Sequence, residues 1–287
     1  MPRIARLVPC AFSIALLLPA GVRAQAVDAE AVHWAYSTWF GTGWYRIGDT
    51  RDAFAVRYAP RRLVREQSIA GGERHYGLEV RVPVTVGLEH FPLDDLPGSV
   101  DPENFASVSV TPEVHVQVPV SERWTLRPFA ALGWGTVLNG DESAWTWWAG
   151  LRSRYRMDAG RLGWSWLYSV AVVGHSPSEG PSSNFWPVMT AFEFDYPFGA
   201  REWQGEALFV NWHVAYTWFA DELELFGPDR RFEQIRDQWQ LGIGIHKADS
   251  PISMWRLRFD RLTLVYRVSS DGELRGIGLD FRSLFDL

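Results

Sequence analysis

Apolar and polar residues alternate along most of this chain. The clearest example runs from Tyr76 to Leu88, where every second residue is aromatic, Leu or Val. The residues between them are small or charged, among them Glu79 and Arg81. Because side chains alternate between the two faces of a strand, this pattern predicts a strand with one apolar face and one polar face.

The same alternation recurs in successive segments that are separated by turn-forming residues. With a less regular first segment near 33–47, these segments predict about twelve strands. A strand needs about 9–11 residues to cross a bilayer at a tilt, and the connections alternate between long and short, as in outer-membrane barrels. We therefore predict an all-β fold, a transmembrane antiparallel up-and-down β-barrel that forms one domain over residues 25–287.

Aromatic spacing along the strands also favours a membrane barrel. Trp124 and Trp134 lie ten residues apart on one predicted face, and so do Trp186 and Tyr196. Ten residues tilted by ~40° rise about 25 Å, which matches the apolar band between two aromatic girdles. These four residues are therefore the predicted membrane girdle. A soluble β protein would also alternate, with its apolar face inward, but the 16 tryptophans argue against it.

The first 24 residues have the features of a secretory signal. Arg3 and Arg6 precede an apolar run from Leu7 to Ala20, and small residues around Ala24 form a cleavage site. We predict a signal peptide over residues 1–24 and localisation to the outer membrane of a Gram-negative bacterium.

Cys10 is the only cysteine and lies inside this signal, which excludes thiol chemistry in the mature chain. The chain has 34 acidic and 28 basic residues with no basic patch, so no nucleic-acid partner is expected.

If the apolar face meets lipid, the polar face lines the barrel interior. Its charges have both signs, and twelve strands enclose little space, so a cross-linked polar core is predicted in preference to a wide pore. Solvated charges that line a narrow, weakly ion-selective channel remain the alternative. The candidate interior residues are Glu79, Arg81, Glu113, His115, Arg152, Arg154, Glu193, Asp195, His213, Arg256, Arg258 and Arg275.

Some barrels of this size are hydrolases, so a nucleophile with a neighbouring base must be considered. His175 and Ser176 are adjacent, but neighbouring strand residues face opposite ways, and we interpret His175 as a solvated loop residue. A rim site would have to use loop residues such as His90, Asp94 and Asp221. No catalytic residue, cofactor or metal is predicted, and a surface phospholipase or protease remains the alternative function.

The stretch from Ser253 to Phe281 resembles the final strands of the solitary outer-membrane autotransporter-like β-barrel family. The likeness lies in the strand with Tyr266 and Arg267, the Ser-Ser-Asp-Gly turn that starts at Ser269, and the Arg-Gly-Ile strand that follows. The resemblance implies a twelve-stranded barrel without a secreted passenger and without a well-defined activity. It implies a non-enzymatic envelope protein or a porin-like channel of limited permeability.

The expected partners are outer-membrane lipids and the barrel assembly machinery, and the sequence predicts no oligomeric state. Barrels of this kind usually end on an aromatic residue that the machinery reads. Here either Phe281 closes that signal and a short tail follows, or Leu287 takes its place.

Overall fold

The computed structural model describes residues 41–48, 51–70, 73–90, 105–138, 141–178, 182–203, 205–226, 232–248, 250–254 and 257–286. The signal predicted over residues 1–24 lies outside these ranges. Within them, no helix has the length and apolarity needed to cross a bilayer.

Strands form where the alternation runs without a turn signal, and burial alternates with it. Along Leu274–Asp280, for example, each buried residue is followed by an exposed one. The strands are β1 (Gly43–Ile47), β2 (Arg51–Tyr58), β3 (Arg61–Arg65), β4 (Ser68–Ala70), β5 (Glu73–His75), β6 (Gly77–Arg81), β7 (Val84–His90), β8 (Phe105–Val110), β9 (Glu113–Pro119), β10 (Trp124–Val137), β11 (Ser143–Ala159), β12 (Leu162–Pro177), β13 (Ser183–Phe185), β14 (Pro187–Trp203), β15 (Glu206–Phe226), β16 (Phe232–Lys247), β17 (Ile252–Met254), β18 (Leu257–Phe259), β19 (Arg261–Val268) and β20 (Leu274–Asp280).

These strands build one closed antiparallel barrel. The pairs β2–β3, β6–β7, β8–β9 and β13–β14 each act as one interrupted wall strand, so the wall has twelve members. The barrel closes where β20 pairs with β1, which places Trp44 opposite Ile277. The predicted twelve-stranded up-and-down barrel is therefore confirmed. Only the β4–β5 and β17–β18 hairpins form separate sheets among the described strands.

Three neighbouring wall strands are interrupted by proline. The strand predicted from Tyr76 to Leu88 is divided at Pro83 into β6 and β7, because proline has no N–H to contribute to the ladder. Buried and exposed residues still alternate across the break, so the two predicted faces persist. The proline carbonyls keep their cross-strand bonds, which come from the N–H groups of Val82 to Pro60 (3.1 Å), Thr111 to Pro83 (2.9 Å) and Leu132 to Pro112 (3.2 Å). The three prolines thus form a seam across the wall.

The outer surface of the barrel is apolar and rich in aromatic residues. All four predicted girdle residues lie on it: Trp124 and Trp134 near the two ends of β10, Trp186 just before β14, and Tyr196 within β14. Exposed Leu, Ile and Val side chains occupy the surface between the girdles, for example Leu132 and Ile243. A continuous apolar surface of this extent is the kind that a bilayer covers.

The two ends of the barrel differ. We call the end at which β20 finishes the tail end, and the other the opposite end. At the tail end Gly160 and Arg161 alone join β11 to β12. At the opposite end β15 and β16 continue past an irregularity after Trp218 and remain paired as far as Phe226 and Phe232.

Candidate functional site

The barrel interior holds most of the predicted polar residues. Glu79, Arg81, Glu113, His115, Glu193 and His213 are buried, and Arg152, Arg154 and Asp195 are partly buried. One predicted position is wrong. Arg275 is exposed because it lies an even number of residues from the outward-facing Ile277 and Leu279, so it shares their face. The backbone of Arg258 lies in the β17–β18 hairpin, which is separate from the barrel sheet, and its side chain lies outside the described part of the chain. Arg256 lies outside the described residues.

An apolar cluster lies in the interior from its middle toward the opposite end. This buried cluster includes Phe129, Trp148, Phe185, Phe219 and Ile235, and the rings of Phe185 and Phe219 meet edge to face with centroids 5.8 Å apart. The sequence did not predict this cluster, because the inward positions were all expected to be polar. His175 is also buried in this part of β12, so its interpretation as a solvated loop residue is wrong.

A buried arginine links the strands at which the barrel closes. Arg267 on β19 donates from Nη2 to Asp280 Oδ1 on β20 (3.2 Å) and from Nε to Gln240 Oε1 on β16 (3.0 Å). Its Nη1 donates to the hydroxyl of Tyr45 on β1 (3.3 Å). The Tyr45 ring packs on Gly276, where a Cβ would come within 2.7 Å of the ring and leave no room for it. This network therefore joins the first strand to the last two.

Four arginines surround the space inside the tail end, and we call them the arginine cradle: Arg81 on β6, Arg127 on β10, and Arg152 and Arg154 on β11. Glu79 pairs with Arg81 and with Arg127, whose Nη2 lies 3.0 Å from Glu79 Oε2. Arg152 stacks over the ring of Phe129, with 4.5 Å between its Cζ and the ring centroid. The cradle therefore combines four cations with one carboxylate from its own wall strands.

The segment after β20 turns into the barrel interior. Phe281 stacks on Phe259 of the β17–β18 hairpin, with ring centroids 4.7 Å apart. A tight turn follows, in which the N–H of Asp286 donates to the Ser283 carbonyl (2.8 Å) and Ser283 Oγ donates to Asp286 Oδ2 (2.8 Å). This turn places Leu284 and Phe285 at its tip, and both are buried. We call residues Ser283–Asp286 the tail turn.

The polar side of the tail turn lies in the arginine cradle. Arg127 donates to the Asp286 carboxylate and, over 3.2 Å, to the Phe285 carbonyl. Arg81 donates to the Asp286 carbonyl. Arg154 lies over the Phe285 ring, with 4.4 Å between its Cζ and the ring centroid, which is within cation–π range. The cradle thus contacts the carboxylate, two carbonyls and the aromatic ring of one short segment.

The apolar side of the tail turn packs on the wall strands next to the cradle. Leu284 and Phe285 form a buried cluster with Leu167, Ala191 and Ala215 on β12, β14 and β15. These three wall residues are consecutive register partners, and Arg154 pairs with Leu167 in the same row. The two alanines leave the space that the larger tail side chains fill. Inward alanines in register were the signal that sequence reasoning could have used to find this recess.

The carboxyl group of Asp286, which lies outside the membrane-spanning strands, is held in its charged form. Burial by itself would raise its pKa, but Arg127, Arg154 and Arg81 outweigh that effect and lower the pKa below its ordinary value. Its contribution to docking is therefore complete above the unfolded pKa of about 3.9 and is lost only as the pH falls through the lowered folded pKa. Neutral pH favours the docked tail turn.

Comparison with known proteins identifies the architecture. No protein-family model matches the chain, and no curated protein matches it either. Among solved structures, the β domain of the Bordetella autotransporter BrkA is similar, with a TM-score of 0.55 and 11% identity over 83% of this chain and 91% of that one. The fold is that of an autotransporter β domain. The transport unit of the Escherichia coli autotransporter AIDA-I gives a TM-score of 0.48 and 9% identity over 84% of this chain and 88% of that one.

This autotransporter-type barrel leaves little free space between its two interior clusters. A cavity of about 110 Å³ lies between the apolar cluster and the tail turn, lined on opposite sides by Trp148 and Leu284. Arg57 and Arg267 also line it, and each is paired, Arg57 with Glu113 and Arg267 with Asp280. A cavity needs roughly 10–15 Å³, measured in this way, to hold one water molecule, so this one holds a cluster of waters.

The barrel does not bring His175 and Ser176 together as a hydrolase pair. Ser176 Oγ accepts a hydrogen bond from Ser182 Oγ (2.9 Å), whereas His175 lies on the other face of β12, inside the barrel. The rim residue Asp94 lies outside the described ranges, and so do the side chains of His90 and Asp221. Within those ranges, no three His, Cys, Asp or Glu residues are placed to hold a metal ion.

Proposed function

We propose that this chain is an outer-membrane barrel with a non-enzymatic role in the envelope and very low permeability to solutes. The observation that carries this proposal is the occupied interior. The apolar cluster fills it toward the opposite end, the tail turn fills the tail end, and a cavity of about 110 Å³ lies between them. A path for hydrated ions needs a continuous aqueous channel, as porins of sixteen or more strands have.

The orientation that we propose places the tail end in the periplasm. Bacterial outer-membrane barrels have short periplasmic turns and longer extracellular loops. At the tail end, β11 and β12 are joined by two residues, and β9 and β10 by the four residues Val120–Arg123. The paired extensions of β15 and β16 at the opposite end then face the cell exterior. This orientation supports localisation in a Gram-negative outer membrane.

The refolded full chain is expected to show almost no conductance in a planar lipid bilayer. The tail turn and the apolar cluster obstruct the interior from both sides, so ions find no continuous water path. The measurement is single-channel current at neutral pH, with a general porin refolded in the same way as the control. A large, stable conductance would contradict the low-permeability role. Hydrolysis of phospholipid or peptide above the vesicle background would instead favour the surface hydrolase.

We propose that the assembly machinery recognises the last strand through Phe281. β20 ends at Asp280, and Phe281 follows it directly, two residues after the outward-facing Leu279, with its partly buried ring stacked on Phe259. The next residues turn inward, so they are poorly placed for recognition from outside the barrel.

Replacing Phe281 by alanine is expected to lower the amount of folded barrel in the outer membrane several-fold. The readout is the heat-modifiable band in isolated outer membranes, with total protein as the reference. Leu287→Ala is the matched comparison, because it changes the other candidate for the signal. A normal yield for Phe281→Ala together with a low yield for Leu287→Ala would assign the signal to Leu287.

A further inference from the structure

We propose that the arginine cradle and the adjacent alanine recess form a peptide-binding site whose resident ligand is the tail turn. The site takes a short segment in which apolar and aromatic residues precede a carboxylate. In this chain the segment Ser283–Asp286 occupies it as a displaceable intramolecular ligand. This inference concerns binding inside the barrel and does not depend on the envelope role proposed above.

Each chemical group of the tail turn has its own partner in the wall. The Asp286 carboxylate and the Phe285 carbonyl bind Arg127, and the Phe285 ring meets the guanidinium of Arg154. Leu284 and Phe285 also contact the apolar recess of Leu167 and the two alanines. Contacts to a carboxylate, a backbone, a ring and an aliphatic side chain together recognise a peptide, whereas a simple anion would use only the first of them.

The tail turn resembles a bound ligand more closely than it resembles a strand of the wall. It belongs to no strand, and its own hydrogen bonds between Ser283 and Asp286 hold its shape. Three of the four cradle arginines project from β10 and β11, whose pairing with each other, and that of β11 with β12, is continuous without the turn. The turn can therefore leave the site while the wall that forms the site stays in place.

Charge favours an acidic ligand in this position. Glu79 pairs with two of the four cradle arginines, Arg81 and Arg127. The nearby carboxylates of Glu113 and Glu193 are already paired with Arg57 and Arg261, which lie outside the cradle. Asp286 adds a second carboxylate to the cradle when the turn is docked. A cluster of cations with low access to water binds an anionic group more strongly than the same charges do at an open surface. An acidic peptide meets this requirement, and a basic one does not.

The test uses a barrel that ends after Arg282, so that residues 283–287 are absent and Phe281 is kept. A fluorescently labelled peptide, Ser-Leu-Phe-Asp-Leu, is added to the refolded barrel in detergent, and its anisotropy is followed. The shortened barrel is expected to bind the peptide at least tenfold more tightly than the full chain does, because the tethered turn competes at a high effective concentration. Peptide with Lys in place of Asp is expected to bind at least tenfold more weakly.

Some results would overturn the proposal. Equal affinities of the full and shortened chains, or no saturable binding to a shortened barrel that is folded, would show that the tail turn is only a structural element. A third outcome has two parts: inorganic phosphate at millimolar concentration displaces the peptide, and a peptide with Ala in place of Phe binds equally well. Together these results would show that the site is only a general anion site.

A second variant tests the proposal if the shortened chain does not fold. Phe285→Ala with Asp286→Asn keeps the full length but removes the ring and the charge that dock the turn. Because the resident ligand then occupies the site for a smaller fraction of the time, the labelled peptide is expected to bind this barrel at least fivefold more tightly than the unaltered chain. No gain in affinity for this folded variant would contradict a displaceable tail turn.

Discussion

Replacing Arg127 by leucine is expected to lower the free energy of unfolding of the barrel by about 3–5 kcal/mol. The Arg127 side chain is fully buried and binds the carboxylates of Glu79 and Asp286 together with the Phe285 carbonyl. Leucine fills part of the volume but leaves these acceptors without their shared donor. Removing one partner of a buried ion pair costs more than the pair itself contributes, because the remaining charge stays desolvated.

The measurement for Arg127→Leu is reversible urea unfolding of the barrel in lipid vesicles, followed by tryptophan fluorescence. Arg123→Leu is the matched control, since Arg123 lies exposed in the turn before β10, and its effect should stay within about 0.5 kcal/mol. Arg127→Lys should fall between the two, because an ammonium group keeps the charge but loses the forked geometry. A loss below about 1 kcal/mol for Arg127→Leu would show that the cradle is solvated and contributes little.

The second large effect is expected at the barrel closure. Replacing Arg267 by methionine should also lower the free energy of unfolding by about 3–5 kcal/mol, because Asp280 is buried and loses its main counter-charge. The substitution affects three strands at once, since Arg267 binds Asp280, Gln240 and Tyr45.

Tyr45→Phe is the graded comparison for this second prediction. It removes one neutral hydrogen bond to Arg267 and should cost about 1 kcal/mol in the same urea titration. Asp280→Asn combined with Arg267→Met should cost less than the sum of the two single variants, because the pair acts as a unit. Strict additivity would indicate that Arg267 and Asp280 contribute independently.

The strands of the barrel wall could be predicted from the sequence because each strand depends only on residues that are neighbours along the chain. Each strand needs only the alternation of neighbouring side chains, and that alternation persists even where Pro83 breaks the ladder. Errors arose where the rule of alternate residues was misapplied or interrupted. Arg275 was assigned to the wrong face, and the strand predicted to include Arg258 begins only at Arg261, after a separate hairpin.

The filling of the interior could not be predicted in the same way. The alternation places Phe129 and Phe219 on the inward face, but it does not show that inward rings from different strands meet, as those of Phe185 and Phe219 do. The tail turn depends on contacts between residues far apart in sequence, such as Arg127 and Asp286, which are separated by 159 positions. Such pairs form only when the barrel closes and brings their strands together. The alternation of residues along a single strand does not predict them.

The contacts of the tail turn also have a mechanical consequence. The turn is bound by Arg81 on β6, Arg127 on β10 and Arg154 on β11. Its apolar side packs on β12, β14 and β15. One short segment therefore connects six of the twelve wall strands from the inside, which makes the cross-section of the barrel stiffer than hydrogen bonds between neighbouring strands alone would make it.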